Sequence, residues 1–277
     1  MKINLFDSCI GEDLSITHGR TPKNIEYIKT DHNPDNIDLY TNFDMFTRQV
    51  PEQRKHKSYG WLFESVDVVP DAFVLMPRIV DKFTTIFTYY IPFIQWLPEK
   101  FQWAPAMGSW IGGKPDGLGG GKIGITEKSK LVSMICSNKT FTRGHQLRRQ
   151  VADHLLQNNK RVDVFGLSER FSNVYDVTAP YMFQVVIENG CQPGYFTEKL
   201  LNCLAVGTIP IYYGSKTIKD YFDIRGIISL EDYLNGKVIL NEELYNSLKE
   251  YANINFAKMQ EYDIPEDYIY KKYLELD

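Results

Sequence analysis

No run of 18 apolar residues occurs anywhere in this 277-residue chain, and the opening MKINLFDSCIGEDL lacks the apolar core of a secretory signal. The expected location is therefore the cytoplasm, with any membrane contact peripheral. Cysteine is scarce. Cys9, Cys136, Cys191 and Cys203 are scattered without a CxxC pair, which points to reduced thiols rather than a disulfide framework or a thiolate metal site. The five histidines show no HxH or HxxxH spacing and offer zinc no ligand set. An excess of positive charge is also missing: 31 basic against 35 acidic residues leave a net charge of -4. That argues against a nucleic-acid partner, which normally meets a basic surface. Any anion must be held by a local site.

The composition that remains is that of a soluble globular protein, long enough for one large or two moderate domains. Aromatic residues concentrate in residues 59–110, which suits surfaces for flat polar ligands such as sugars. The first part alternates short apolar runs with turn chemistry. INLF (Ile3–Phe6), IDLY (Ile37–Tyr40), YGWLFES (Tyr59–Ser65), FTTIFTYY (Phe83–Tyr90) and FQWAPAM (Phe101–Met107) are strand candidates, with a weakly periodic helix between Pro70 and Val80. GGKPDGLGGGKIG, Gly112 to Gly124, follows. Lys122 precedes Ile123 rather than Ser or Thr, and no amphipathic helix comes next, so a phosphate-binding P-loop is not expected. A flexible connection that tolerates change is.

Beyond it the grammar becomes regular. KLVSMICSN, RVDVFG, YMFQVVIEN, TIPIYYG and GIISLED read as strands, and the first is apolar on both faces. GHQLRRQVADHLLQN and TEKLLNCLAVG read as helices, with Leu147, Val151 and Leu155 on one face of the former. A closing helix is expected from Asn241, with a stripe of Leu244, Leu248, Tyr251 and Ile254, and another after Pro265. Strand and helix in alternation predict a parallel α/β sheet, whose ligands bind at the carboxyl ends of strands. Residues 1–125, with the glycine-rich segment at their end, and 126–277 are the expected domains.

One stretch resists a purely structural reading. VVIENGCQPGYFTEKLLNCLAVGTIPIYYGS, Val185 to Ser215, places Glu188 and Asn189 at a strand end and Tyr195, Glu198 and Lys199 at the start of a helix. Thr197 can cap that helix. Glu198 complements the positive helix end, but a lysine in a first turn runs against the dipole unless it serves something else. Arg143, Arg148 and Arg149 open the neighbouring helix on the same crevice. An arginine fork with a lysine matches a diphosphate, so a phosphorylated, nucleotide-linked ligand is the physical expectation.

The same residues resemble the donor motif of the α1,3-fucosyltransferase family: an apolar strand, E-N-S, a short spacer, Y-[VIF]-T-E-K-[LI], a helix, then [VI]-P-[VI] and G. Gly190 stands where that pattern has Ser. SMICSNKTFTRGHQLRRQ resembles the family's S-N…R segment and VDVFG its V-D-x-[YF]-G strand. WLFESVDVVPDAF resembles its F-x-x-E-S-P segment, with Val66 in place of the final Pro. The resemblance implies a GT-B architecture, two Rossmann-like parallel-sheet domains facing across a cleft. Its implied activity is inverting transfer of L-fucose from GDP-fucose to an oligosaccharide or glycoconjugate acceptor, α1,3-linked to a GlcNAc-type sugar. Glu64 would be the general base. Arg148 and Lys199 would offset the departing diphosphate, and Glu198 would face ribose or fucose. Asn138, Glu188, Asn189 and Tyr195 would position the donor, and Tyr181, inside its strand, would either pack in the core or lie against guanine. No Asp-x-Asp motif stands at a strand end, so no metal is expected to be obligatory, though a divalent cation could stimulate. A GT-B transferase of another nucleotide sugar, or a non-catalytic nucleotide-sugar or glycan-binding module, is the alternative.

Overall fold

The apolar runs of the first half form parallel strands in one sheet. They are β1 (Lys2–Phe6), β2 (Glu26–Ile28), β3 (Ile37–Thr41), β4 (Ser58–Leu62), β5 (Thr85–Thr88) and β6 (Phe101–Trp103), in the order β2-β1-β3-β4-β5-β6. The computed structural model describes residues 1–8, 10, 15–50, 57–115, 117–158, 161–167 and 171–275. Cys9 lies outside them; Cys136, Cys191 and Cys203 are free thiols. β4 is buried along its whole length, and Trp61 and Leu62 are fully enclosed. Short helices α1 (Asp44–Thr47), α2 (Pro70–Leu75) and α3 (Ile91–Trp96) join the strands. β2 escaped the sequence reading because three residues show no periodicity.

The second sheet has the order β11-β10-β9-β7-β8, again parallel throughout. Its strands are β7 (Lys130–Ile135), β8 (Val162–Phe165), β9 (Tyr181–Ile187), β10 (Ile209–Tyr213) and β11 (Ile228–Ser229). On one face, α4 (Arg143–Asn158) presses Val151, Ala152 and Leu155 against Phe183 and Val185. On the other, α5 (Glu198–Ala205) buries Leu200, Leu201 and Leu204 beside Val186 and Tyr212. Helix α6 (Leu230–Leu234) begins where GIISLED was expected to stay extended, because Ser229 accepts from the Asp232 N–H and caps a helix there. In α7 (Glu242–Met259) the buried face is Tyr245, Ala252, Asn255 and Met259, one position round from the expected stripe. Leu244 and Leu248 flank it. Tyr251 instead lies under the Arg225 guanidinium, 4.4 Å from ring centre to carbon.

The chain crosses between the sheets twice. After α7 it returns, and α8 (Pro265–Ile269) with a following π-helical turn delivers Ile269 and Leu274 into the first core, beside Ile3, Trp61 and Phe87. These residues were expected to stay with the second half. The apolar surface of the first sheet is what they cover. The Arg20 guanidinium fixes both crossings at one point: Nη1 donates to Ser109 O, Ile111 O and Asp263 Oδ1 at 3.1, 2.7 and 2.9 Å.

The glycine-rich segment is packed rather than slack. Gly112 N donates to Gly120 O at 2.9 Å, and Val174 N to Leu118 O at 2.7 Å. A Cβ on Gly119 would stand 2.0 Å from Trp110 O, and one on Gly121 (φ 64°) 2.1 Å from the Tyr175 ring. The expectation of a tolerant linker therefore gives way to one of tight packing. Gly119→Ala by overpacking, and Gly121→Ala by overpacking and positive-φ strain, should each cost roughly 1–3 kcal/mol. At about 2–4 °C per kcal/mol, thermal unfolding should shift down by several degrees. Lys114→Ser, at an exposed position, should leave the midpoint in place. Unchanged midpoints for both glycine variants would restore the tolerant linker.

Candidate active site

Parallel strands bring all their carboxyl ends to one edge, and there the stretch that resisted a structural reading resolves into a charge cluster. Glu188 follows β9 and is fully buried. Its Oε1 accepts from Thr197 N at 3.0 Å and its Oε2 from Thr197 Oγ1 at 2.7 Å, so the carboxylate anchors the first turn of α5. Thr197 Oγ1 in turn accepts from Lys199 N. Lys199 Nζ lies 2.8 Å from Glu198 Oε1 and 3.7 Å from Glu188 Oε2. Burial works against this ammonium, but Glu198 and Glu188 outweigh it and raise its pKa above the ordinary lysine value. The lysine that the helix dipole disfavours is thus held by two carboxylates. Burial raises the Glu188 carboxyl, with Lys199 pulling the other way.

Helix α4 approaches this cluster as closely as backbone allows. A Cβ on Gly144 would stand 2.0 Å from Glu188 O and 2.7 Å from Asn189 Cα, so only glycine lets the helix seat there. One turn on, Arg148 is 6% exposed; its Nε donates to Ile187 O at 3.2 Å and its Nη2 to Asn189 Oδ1 at 3.0 Å. Of the three candidate arginines, Arg143 is exposed and Arg149 turns outward to Asp153 at 3.2 Å. Arg148 alone of the three lines the cleft.

The first half supplies the opposite wall. Asn42, in the left-handed region (φ 39°), accepts from the N–H groups of Phe63 and Glu64 at 3.2 Å. The Tyr89 hydroxyl donates to Glu64 O and accepts from Val66 N, both at 3.2 Å. That second bond needs the N–H that a proline at position 66 would lack. Burial lifts the Glu64 carboxyl above its usual range, Lys199 lowers it and Glu198 raises it, so this carboxyl feels the charges across the cleft. Tyr89 also packs on Tyr195, ring centres 4.7 Å apart, and Gln192 Nε2 donates across the halves to Asp67 Oδ2 at 2.8 Å. A side chain on Gly190 would strike that pair, its Cβ 2.3 Å from Gln192 Oε1. The glycine that departs from the family pattern is therefore matched to a contact between the halves.

Between the walls lies a cavity of about 560 Å³, lined by Glu64, Arg148, Asn189, Tyr195, Glu198 and Lys199 among others. Three of the expected site residues are not on its surface. Glu188 lies beneath it as an anchor. Asn138 is exposed, while its neighbours Ser137 and Lys139 do line the cavity. Tyr181 starts β9, at the end of the strand away from Glu188, and donates to Asp163 Oδ2 at 2.7 Å. A strand-start residue cannot reach the carboxyl edge.

Among the lining residues that escaped the sequence reading, two stand out. Asn202 sits on the buried face of α5, and its Oδ1 accepts from Ser109 Oγ, Trp110 N and Ile111 N at 3.1, 2.9 and 3.3 Å, joining the halves. An amide between Leu201 and Cys203 on an otherwise apolar helix was the available signal. His145 is the other; nothing in its spacing marked it.

Comparison with known proteins follows the same geometry. The sequence profile of glycosyltransferase family 10 (fucosyltransferase), C-terminal region, matches residues 125–264. The chain is similar to alpha-(1,3)-fucosyltransferase B of Drosophila melanogaster, 41% identical over 81 residues, 26% of this chain and 18% of that protein. It is also similar to the GDP-fucose protein O-fucosyltransferase 3 of Mus musculus, 34% identical over 101 residues, 36% of this chain and 18% of that protein. Each matched segment is thus less than a fifth of the relative's length. Among solved structures, an α1,3-fucosyltransferase with GDP superposes with a TM-score of 0.52 at 17% identity, over 99% of this chain and 88% of that one. The shared fold is the GT-B arrangement of two facing parallel-sheet domains.

Proposed function

Because the chain belongs to glycosyltransferase family 10, the fucosyltransferases, we propose that it transfers L-fucose from GDP-fucose, with inversion, to a hydroxyl of an acceptor glycan. The observation that carries this reading is one cavity with Glu64 on one wall and Arg148, Glu198 and Lys199 on the other. In it, Glu64 takes the proton of the acceptor hydroxyl as that oxygen bonds to the anomeric carbon of fucose. The bond from that carbon to the diphosphate breaks, and GDP leaves with the electron pair. Arg148 and Lys199 meet the charge that builds on the diphosphate, the largest electrostatic demand of the step. Glu198 faces the ribose or the fucose, where positive character develops at the anomeric carbon, while Asn189 and Tyr195 position the donor. Attack from the Glu64 wall, opposite the diphosphate, gives inversion. In this division residues 1–125 bind the acceptor and 126–277 the donor, with 265–274 bracing the acceptor half. A divalent cation would at most stimulate, because the two cations already carry the charge.

The reading is tested by offering GDP-fucose with a panel of GlcNAc-terminated glycans and Ser/Thr-containing peptides. The expected product is an α1,3-linked fucosyl-GlcNAc unit. Fucosylated peptide alone would move the acceptor to protein, a reading the similarity to the mouse protein favours. No transfer to any acceptor, with UDP displacing GDP from the site, would point to another nucleotide sugar. GDP binding without turnover would leave a binding module.

A further inference from the structure

His145 has no part in the transfer step, yet it lines the cavity and is 4% exposed. It precedes Arg148 by one turn of α4. Its Nδ1 lies 2.7 Å from Thr142 Oγ1, which also accepts from His145 N at 3.1 Å, and the Phe141 ring covers it at 4.4 Å between centres. Three cations face it from three elements: Arg148 on its own helix, Lys139 from the loop after β7, and Lys199 from α5. The carboxylates nearby are committed, Glu188 and Glu198 to Lys199 and Thr197, while Glu64 stands on the opposite wall. Burial first, and then these cations, push its pKa down to about 4, so the imidazole is neutral near pH 7 when no anion is bound.

We infer that His145 is a third, switchable member of the diphosphate site, taking up one proton from solvent when a nucleoside diphosphate is seated and returning it when the diphosphate leaves. The inference rests on the donor-site reading above. Thr142 engages Nδ1, so Nε2 is the nitrogen left to contact a ligand. An opposite charge within about 4–6 Å moves a pKa by roughly 1–3, and a diphosphate brings at least two such charges. That carries the imidazole from about 4 to about 6 or above. A charge present only with the ligand adds no repulsion to Arg148, Lys139 and Lys199 in the empty pocket, and it is given up as the product departs. Diphosphate retention should weaken as pH rises through the ligand-bound pKa of the imidazole.

The test is calorimetric titration of GDP into the full chain at about pH 5, between the free and the expected bound values of the imidazole, in buffers of different ionisation heat. The native chain should take up most of one proton more per GDP than His145→Gln. The terminal phosphate of GDP, with a second pKa near 6, contributes alike to both and cancels. The ring proton resonances of the native chain provide a second readout that needs no variant. One of the five histidines should titrate near pH 4 without GDP and above about 6 with it. Equal proton counts, or a histidine titration that GDP leaves in place, overturns the inference while the donor site stands. A native chain that fails to bind GDP overturns the donor-site reading and this inference with it.

Discussion

Glu64→Gln should lose most of the transfer rate, roughly 10²–10⁴-fold, while GDP binds as in the native chain. The amide keeps the shape of the side chain but cannot accept the acceptor proton. The backbone of residue 64 is held independently by Asn42 and Tyr89, so the fold should survive. The pH dependence has a definite sign. The active form of Glu64 is the carboxylate, and burial raises its pKa. The rate of the native chain should therefore fall as pH drops through that raised value, on a limb above the ordinary glutamate range, and Glu64→Gln should lack the limb. A Gln variant near the native rate would remove Glu64 as base. Asp67 is bonded to Gln192 and Asp71 opens α2, and those two would be next.

Arg148→Ala and Lys199→Ala should each weaken GDP binding by about 1.5–3 kcal/mol, the usual worth of a hydrogen bond to a charged group. That corresponds to roughly 10- to 150-fold in Kd. Lys199→Ala also strips the counter-charge from buried Glu188, so its unfolding midpoint should fall as well. Arg148→Lys should recover only part of the loss, because an ammonium cannot hold Ile187 O and Asn189 Oδ1 while also presenting a fork to phosphate. GDP affinity unchanged in both alanine variants would sink the phosphate clamp.

The second half was legible because its signals are local. The continuous apolar run of β9, the Thr197 cap and the carboxylates around Lys199 all lie within twenty residues, and a parallel sheet places them at one edge. Of the two roles open to Tyr181, the one against guanine fails because distance along a strand matters: it stands seven positions before Glu188, and β9 runs the whole way between them. The packing of the glycines was hidden, since their partners Tyr175 and Trp110 are set by tertiary contacts. His145 was hidden for a related reason. A single histidine acquires meaning only from charges on other elements, and spacing along α4 does not reveal Lys139 or Lys199.

The Arg20 clamp has a mechanical consequence. The outgoing chain at Ser109 and the returning chain at Asp263 touch, Ser109 N donating to Asp263 O at 3.2 Å, and a Cβ on Gly108 would stand 2.1 Å from that same oxygen. Two covalent tethers pressed together at one spot resist sliding and separation of the halves there. Asn202 reaches over to residues 109–111 beside that spot, and Gln192 meets Asp67 across the halves. Trp103, at the end of the first sheet's last strand, stacks on Tyr221 with ring centres 5.0 Å apart. The walls that carry Glu64 and Lys199 are thus aligned by several joints within the chain itself, and seating a donor need not first bring the halves together.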